Sequence, residues 1–193
     1  MMDPTTTNDH QELEDICPFG DIVLLVGPKE RRLRVSSHCL RVVSKVFNVM
    51  LGPRWTGADD QKDSSEARLP EDDSKGMRLF CAVIHYRHDL IPEELPSRLA
   101  LKFAVLVDKY DAAMALSLAI PDLMARVEPK TTPELAHVAA ASMIFDDDYS
   151  FQKVCKRLVF RDSISYLDLH EDELLKQWLP FTVIREFTWP IPL

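Results

Sequence analysis

Between residues 21 and 51 the apolar pattern changes its period, and that change limits the folds open to the chain. Residues 21–26 read Asp-Ile-Val-Leu-Leu-Val, an aliphatic and β-branched run that ends at Gly27-Pro28. A run this short, closed by a turn, predicts a buried strand. Lys29 and Glu30 continue the turn. Residues 31–35, Arg-Arg-Leu-Arg-Val, then alternate charged with apolar, as a half-solvated partner strand does. From residue 36 the repeat becomes helical. Ser36 or Ser37 can accept from first-turn amides, and Leu40, Val43, Val46, Phe47, Met50 and Leu51 form one apolar stripe of a helix over 38–51, stopped by Gly52-Pro53. A hairpin that feeds a capped helix requires a mixed α+β architecture.

The rest of the chain extends this plan. Residues 67–70 predict a short strand. Asp72, Asp73 or Ser74 can cap a helix whose inner face holds Met77, Phe80, Cys81 and Ile84. Ser97 is expected to cap the next, with Leu99, Phe103, Leu106 and Tyr110 inward. Residues 111–127 predict a further helix, kinked at Pro121. Beyond residue 129 the pattern is helical. Thr131 and Glu134 have capping-box spacing with Pro133 in the tolerated first turn, Asp146, Asp147 and Asp148 suit the start of a helix over 149–160, and a third helix spans 171–179 before Pro180. Residues 1–18 are polar and acidic, and predict a flexible tail with a short helix near 11–15. The expected organisation is a tail (1–18), a domain (19–128) and a helical extension (129–193). A chain of 193 residues can bury a core without help from disulfides or metal.

Composition narrows the function. A net charge of −8 argues against a protein that grips phosphate backbones, and five glycines leave no Gly-rich phosphate loop. Cys17, Cys39, Cys81 and Cys155 are scattered without a paired motif, which predicts reduced thiols in the cytoplasm or nucleus. No apolar run approaches the ~18 residues of a membrane span. Hydrolase, zinc-protease and kinase signatures are missing. Ser36-Ser37-His38 puts hydroxyls beside an imidazole, but adjacent residues at a helix start do not face each other, so a cap is the better reading. Cys81, His85 and His88, at i, i+4 and i+7, could offer three zinc ligands to a small metal-dependent enzyme, yet Cys81 also belongs to the apolar stripe. The expectation is no catalytic residue, no cofactor and no metal. Lys29, Arg31, Arg32, Arg34, Arg41 and Lys45 form a basic segment against one acid, Glu30. No aromatic side chains interleave with them, so they read as a solvated strand face rather than a nucleic-acid platform.

The residues then become familiar as a set. Residues 21–27, residues 33–40 (Leu-Arg-Val-Ser-Ser-His-Cys-Leu), Ser44-Lys45-Val46-Phe47 and Met50-Leu51 resemble the opening of the BTB/POZ domain. Leu69-Pro70-Glu71-Asp72-Asp73, residues 80–85, Ile91-Pro92 and Asp108-Lys109-Tyr110-Asp111 are similar to later parts of that family, in the form found in many fungal proteins. The resemblance covers residues 19–128. It implies a small mixed sheet flanked by helices that serves as a protein-interaction module, an adaptor or scaffold, with itself among the candidate partners. It makes Asp21 and His38 structural or rim residues and directs attention to Arg41 and Lys45 on the helix face. Trp55, in a polar loop, is either a lid over the core or an anchor for a partner. Family members that serve cullin-type ubiquitin ligases often carry a hydrophobic-x-Glu motif after this helix, where this chain reads Arg54-Trp55-Thr56-Gly57-Ala58. Cullin is therefore a candidate partner without its usual motif.

Overall fold

Two strands built from the opening pattern organise the molecule. The computed structural model describes residues 12–52, 65–159, 169 and 172–178. Strand β1 is Glu14–Asp15, β2 Ile22–Val26, β3 Arg31–Val35 and β4 Ser65–Leu69, and they form one mixed sheet in the order β1-β3-β2-β4. β2 is central and buried along its whole length. It pairs antiparallel with β3 (Leu24 opposite Leu33) and parallel with β4 (Leu24 opposite Ala67). The hairpin turn places Gly27 at φ 74° and Glu30 at φ 49°, left-handed values that favour glycine at the first position.

The full burial of β2 involves both faces of the sheet. Ile22, Leu24 and Val26 enter the main core. Val23 and Leu25 point to the opposite face of the sheet and are buried as well. In register beside Val23 lie Arg34 and Glu66, and beside Leu25 lie Arg32 and Arg68. These arginines carry their charged heads to the surface. Each head is paired: Arg32 with Glu66 at 3.4 Å, Arg34 with Asp15 at 3.3 Å, and Arg68 with Glu30.

The N-terminal segment departs from the expected tail and helix. Glu14–Asp15 runs parallel to β3, the Ile16 and Cys17 amides donate to the Arg34 carbonyl, and Ile16 is wholly buried. Glu14 bridges Arg31 (2.6 Å) and Arg78 (2.5 Å), and Arg87 donates to the Ile16 carbonyl at 2.8 Å. A two-residue strand is too short to show alternation, and tertiary pairing overrides the local pattern.

The expected single helix over 38–51 is two helices, α1 Ser37–Val43 and α2 Lys45–Met50. Ser44 breaks it. Its extended backbone (φ −134°, ψ 122°) ends α1, and its hydroxyl accepts from the Phe47 amide at 3.0 Å to cap α2. The same hydroxyl donates to the Tyr110 carbonyl at 2.6 Å. The break resets the helical phase. Leu40, Phe47 and Leu51 are buried, Val43 and Met50 partly so, and Val46 turns outward.

Helix α3 (Ser74–Ile84) starts at Asp73, whose carboxylate accepts from the Lys75 and Gly76 amides. It lies against α4 (Ser97–Lys109) so closely that a Cβ on Gly76 would sit 3.0 Å from Leu106 Cδ1 and 3.2 Å from Lys102 Cβ. Ser97 does not cap α4 as expected. Pro96 holds the cap position without a side-chain bond, and Ser97 is buried in the first turn. Residues 111–118 form turns rather than helix, starting from Asp111 at φ 49°. Helix α5 begins only at Ala119 and ends at Ala125, so Pro121 falls in a first turn, where its missing N–H is harmless.

Helices α6 (Thr132–Ile144), α7 (Asp148–Val159) and α8 (Glu173–Trp178) follow. The capping box of Thr131 and Glu134 is formed, and Asp147 accepts from the Ser150 amide to cap α7. A second core unites Leu135, Ala139, Val154, Leu158, Leu169 and Leu175 with Leu101 and Ala104 of α4. Other residues of α4, Phe103 and Leu106 among them, enter the first core. Phe47, Phe80 and Phe103 meet there in one aromatic cluster, with centroids 6.3 Å (Phe47–Phe80) and 6.5 Å (Phe80–Phe103) apart. The molecule is an α+β fold, and among the described residues no helix is long and apolar enough to cross a membrane.

Candidate functional site

The surface on which the sequence concentrated its candidates is the outer side of α1 and α2. Asp21 fastens its base. One carboxylate oxygen accepts from the Ser37 amide at 2.7 Å and the other from the Ser37 hydroxyl at 2.6 Å, which ties the start of β2 to the first turn of α1. Partial burial pushes this carboxyl upward, but the two Ser37 bonds and the nearby His38 outweigh it and hold the group below its ordinary range. Asp21 is thus a positioning residue. His38 is exposed beside it. Arg41 reaches across the helix break to the Asn48 side chain at 3.3 Å. Lys45 is exposed and pairs with Asp111 at 2.9 Å, a contact that draws its ammonium pKa upward. Trp55 lies outside the described residues. Asp21 and His38 are thus gathered at the start of α1, and Arg41 and Lys45 lie at the junction of α1 and α2.

The sequence reading overlooked what stands among them. Val42 is 69% exposed, Val46 40% and Val49 84%. Val46 had been assigned inward because one continuous helix was assumed. Val42 belongs to α1 and Val46 and Val49 to α2, so the three are outward residues of two helices and not one continuous stripe. Lys45 and Ser44 also lead to the turn over 111–118 through Asp111 and Tyr110, and that turn presents Met114 and Leu118 almost fully to solvent. Exposed aliphatic residues thus occur on both helices and on the turn that Lys45 and Ser44 contact.

The groups considered for chemistry are otherwise engaged. Ser37 is bound to Asp21, and the Ser36 hydroxyl accepts from the Cys39 amide at 3.5 Å. The Ser36 amide donates to His85 Nε2 at 2.9 Å, so the ring proton is on Nδ1, which donates to the Cys81 carbonyl at 2.8 Å. Both ring nitrogens of His85 are occupied and no lone pair is left for a metal. Helix α3 ends at Ile84, so Cys81, His85 and His88 do not share the helical face that a three-ligand site needs; His88 lies in a separate 3-10 turn, His88–Leu90. Complete burial drives the Cys81 thiol far above its ordinary pKa, the opposite of a ligating thiolate. Among the described residues no group of three His, Cys, Asp or Glu could hold a metal ion.

One constellation had no sequence signal. His137 in α6 lies between the Ser97 hydroxyl (Nδ1, 3.3 Å) and Asp172 (Nε2, 2.9 Å). The order of groups is that of a hydrolytic relay. The surroundings are not, because Ser97 and His137 are both buried. Asp172 also pairs with Arg98 and accepts from the Leu174 and Leu175 amides at the start of α8. Burial lowers the imidazole pKa more than Asp172 raises it, so His137 is neutral and donates its Nε2 proton to the carboxylate. The three residues fasten α8 to α4 and α6.

The paired arginines of β3 dispose of the basic segment in the same way. Arg31, Arg32 and Arg34 each face a carboxylate within the sheet. No known family model matches the chain, and no curated protein matches it in sequence.

Proposed function

We propose that the chain is a non-catalytic protein-interaction module of the BTB/POZ type, and that it holds its partners through the outer faces of α1 and α2. The exposed valines 42, 46 and 49 carry this reading: they stand on a rigid helix pair, framed by His38, Arg41 and Lys45. An apolar centre with a charged rim is the usual anatomy of a recognition surface. The order of hairpin, broken helix pair, parallel edge strand and helices supports the BTB/POZ resemblance, and a second copy of the chain is among the partners that such a face fits.

The test compares the full chain with Val49→Glu. The residue is exposed, so the variant should melt with the parent. Affinity capture from native extract and light scattering against concentration should both show loss of binding or of self-association. Identical profiles for the two proteins would remove the α1–α2 face from the proposal. Adding a purified cullin N-terminal region to the same pair of proteins separates a general module from a ligase adaptor.

A further inference from the structure

Helix α7 carries a chemically different stripe. Tyr149, Lys153 and Arg157 follow one another at intervals of four residues and therefore share one face. All three border a cleft of about 410 Å³ between α5, α6 and α7. Its lining is polar and apolar in about equal measure, with Met124, Val127, Val138 and Val154 together with Pro121 and Pro129 as the apolar part. The size suits one or two inserted side chains. Tyr149 is 77% exposed, an aromatic held out at the rim.

The rim carries two cations and one acid among the described residues. Lys153 has no ion-pair or hydrogen-bond partner among the described residues, and the Arg157 guanidinium donates to the Pro129 carbonyl at 2.8 Å, a neutral acceptor. Asp147, the one acid among the described lining residues, accepts from the Ser150 amide, a neutral donor that leaves its charge in place. On a molecule of net charge −8 the described lining holds a small local excess of positive charge. The β3 arginines, by contrast, are each matched by a carboxylate.

We propose that the α5–α6–α7 cleft is a docking groove for an acidic linear peptide of a partner protein, which places an aliphatic side chain between Met124 and Val154 and carboxylates against Lys153 and Arg157. The aliphatic part of the lining selects a peptide over a polyanion, because a nucleic-acid backbone would leave it unfilled. This groove is separate from the α1–α2 face and stands or falls independently of it.

The experiment selects random phage-displayed peptides on the immobilised full chain and measures the enriched ones by fluorescence anisotropy. Enriched peptides should combine Asp or Glu with an aliphatic residue, weaken about tenfold or more on Lys153→Glu, and weaken again as salt is raised. A peptide in which the facing carboxylate is replaced by Lys should regain affinity for the Lys153→Glu variant. Lys153 is exposed, so the variant should keep the parent melting temperature; should it melt early, Lys153→Ala and Arg157→Gln take its place. Several outcomes would overturn the proposal: no enrichment, enrichment of basic or uncharged peptides, or acidic peptides that ignore these substitutions and respond to Val49→Glu. A dimer dissolved by Lys153→Glu would assign the groove to a second copy and overturn it too.

Discussion

Tyr110 offers the most demanding test of the core, because three independent interactions converge on it. Its ring stacks on Phe47 with centroids 4.1 Å apart and planes within 6°. Its carbonyl accepts the Ser44 hydroxyl at 2.6 Å, and its phenol donates to the buried carboxylate of Asp72, which Lys109 also contacts at 2.5 Å. Tyr110→Phe removes only the phenolic oxygen and leaves the stack in place. A hydrogen bond to a charged acceptor contributes roughly 1.5–3 kcal/mol, and the remaining carboxylate stays buried with one partner fewer. For a chain of this size ~2 kcal/mol lowers the melting temperature by roughly 4–8 °C. The pH dependence is a second signature. Burial first, and then the bond to Asp72, push the phenol pKa far above its ordinary value. A raised pKa means that the stabilisation is complete below the unfolded value, about 10, and is lost as pH climbs toward the folded one. The gap between parent and Tyr110→Phe should therefore be constant from pH 6 to about 9 and narrow above ~10. Thermal denaturation followed by circular dichroism across that range reads both quantities. Equal melting at neutral pH, or a gap that does not change in alkali, would refute the Tyr110–Asp72 assignment.

Phe47→Ala should cost about 3–5 kcal/mol in a urea titration, since it empties the centre of the aromatic cluster beneath α2; a near-parental midpoint would contradict the placement of that helix. In acid, burial lowers the pKa of both His85 and His137. Their contribution is complete above the unfolded imidazole value of about 6.5 and fades as pH falls through the folded values. The double variant His85→Gln/His137→Gln should lack the stability loss that the parent shows between roughly pH 6.5 and 5, measured by thermal melts in matched buffers.

Much of the framework was legible because local chemistry and tertiary packing agree there. The hairpin of β2 and β3, the Asp73 cap, the Thr131–Glu134 box and the inward aromatic residues all follow from patterns spanning fewer than a dozen positions. Failures arose where a residue serves a distant partner. The Ser44 hydroxyl makes two bonds at the break, a local cap on the Phe47 amide and a bond to the Tyr110 carbonyl sixty-six residues away, and the second has no local signal. β1 forms because Arg31, Arg78 and Arg87 hold it, and no pattern within residues 12–17 signals that. Pro121 was taken for a kink when it marks a beginning. On the candidate surface, Asp21, His38, Arg41 and Lys45 emerged from motif and charge, whereas the valines did not, because a helix assumed continuous gave Val46 the wrong direction. The Ser97–His137–Asp172 link joins positions forty and thirty-five residues apart, beyond any periodic signal.

Helix α4 is a party wall. Phe103 and Leu106 furnish the room on one side, Leu101 and Ala104 the room on the other. Ending the chain near residue 128 would not yield a tidy half but would strip that partition, leaving its far side bare to water and inviting aggregation. Whatever binds the α5–α6–α7 cleft, or loosens the tether on α8, presses on the same shared helix that supports the aromatic cluster under α2.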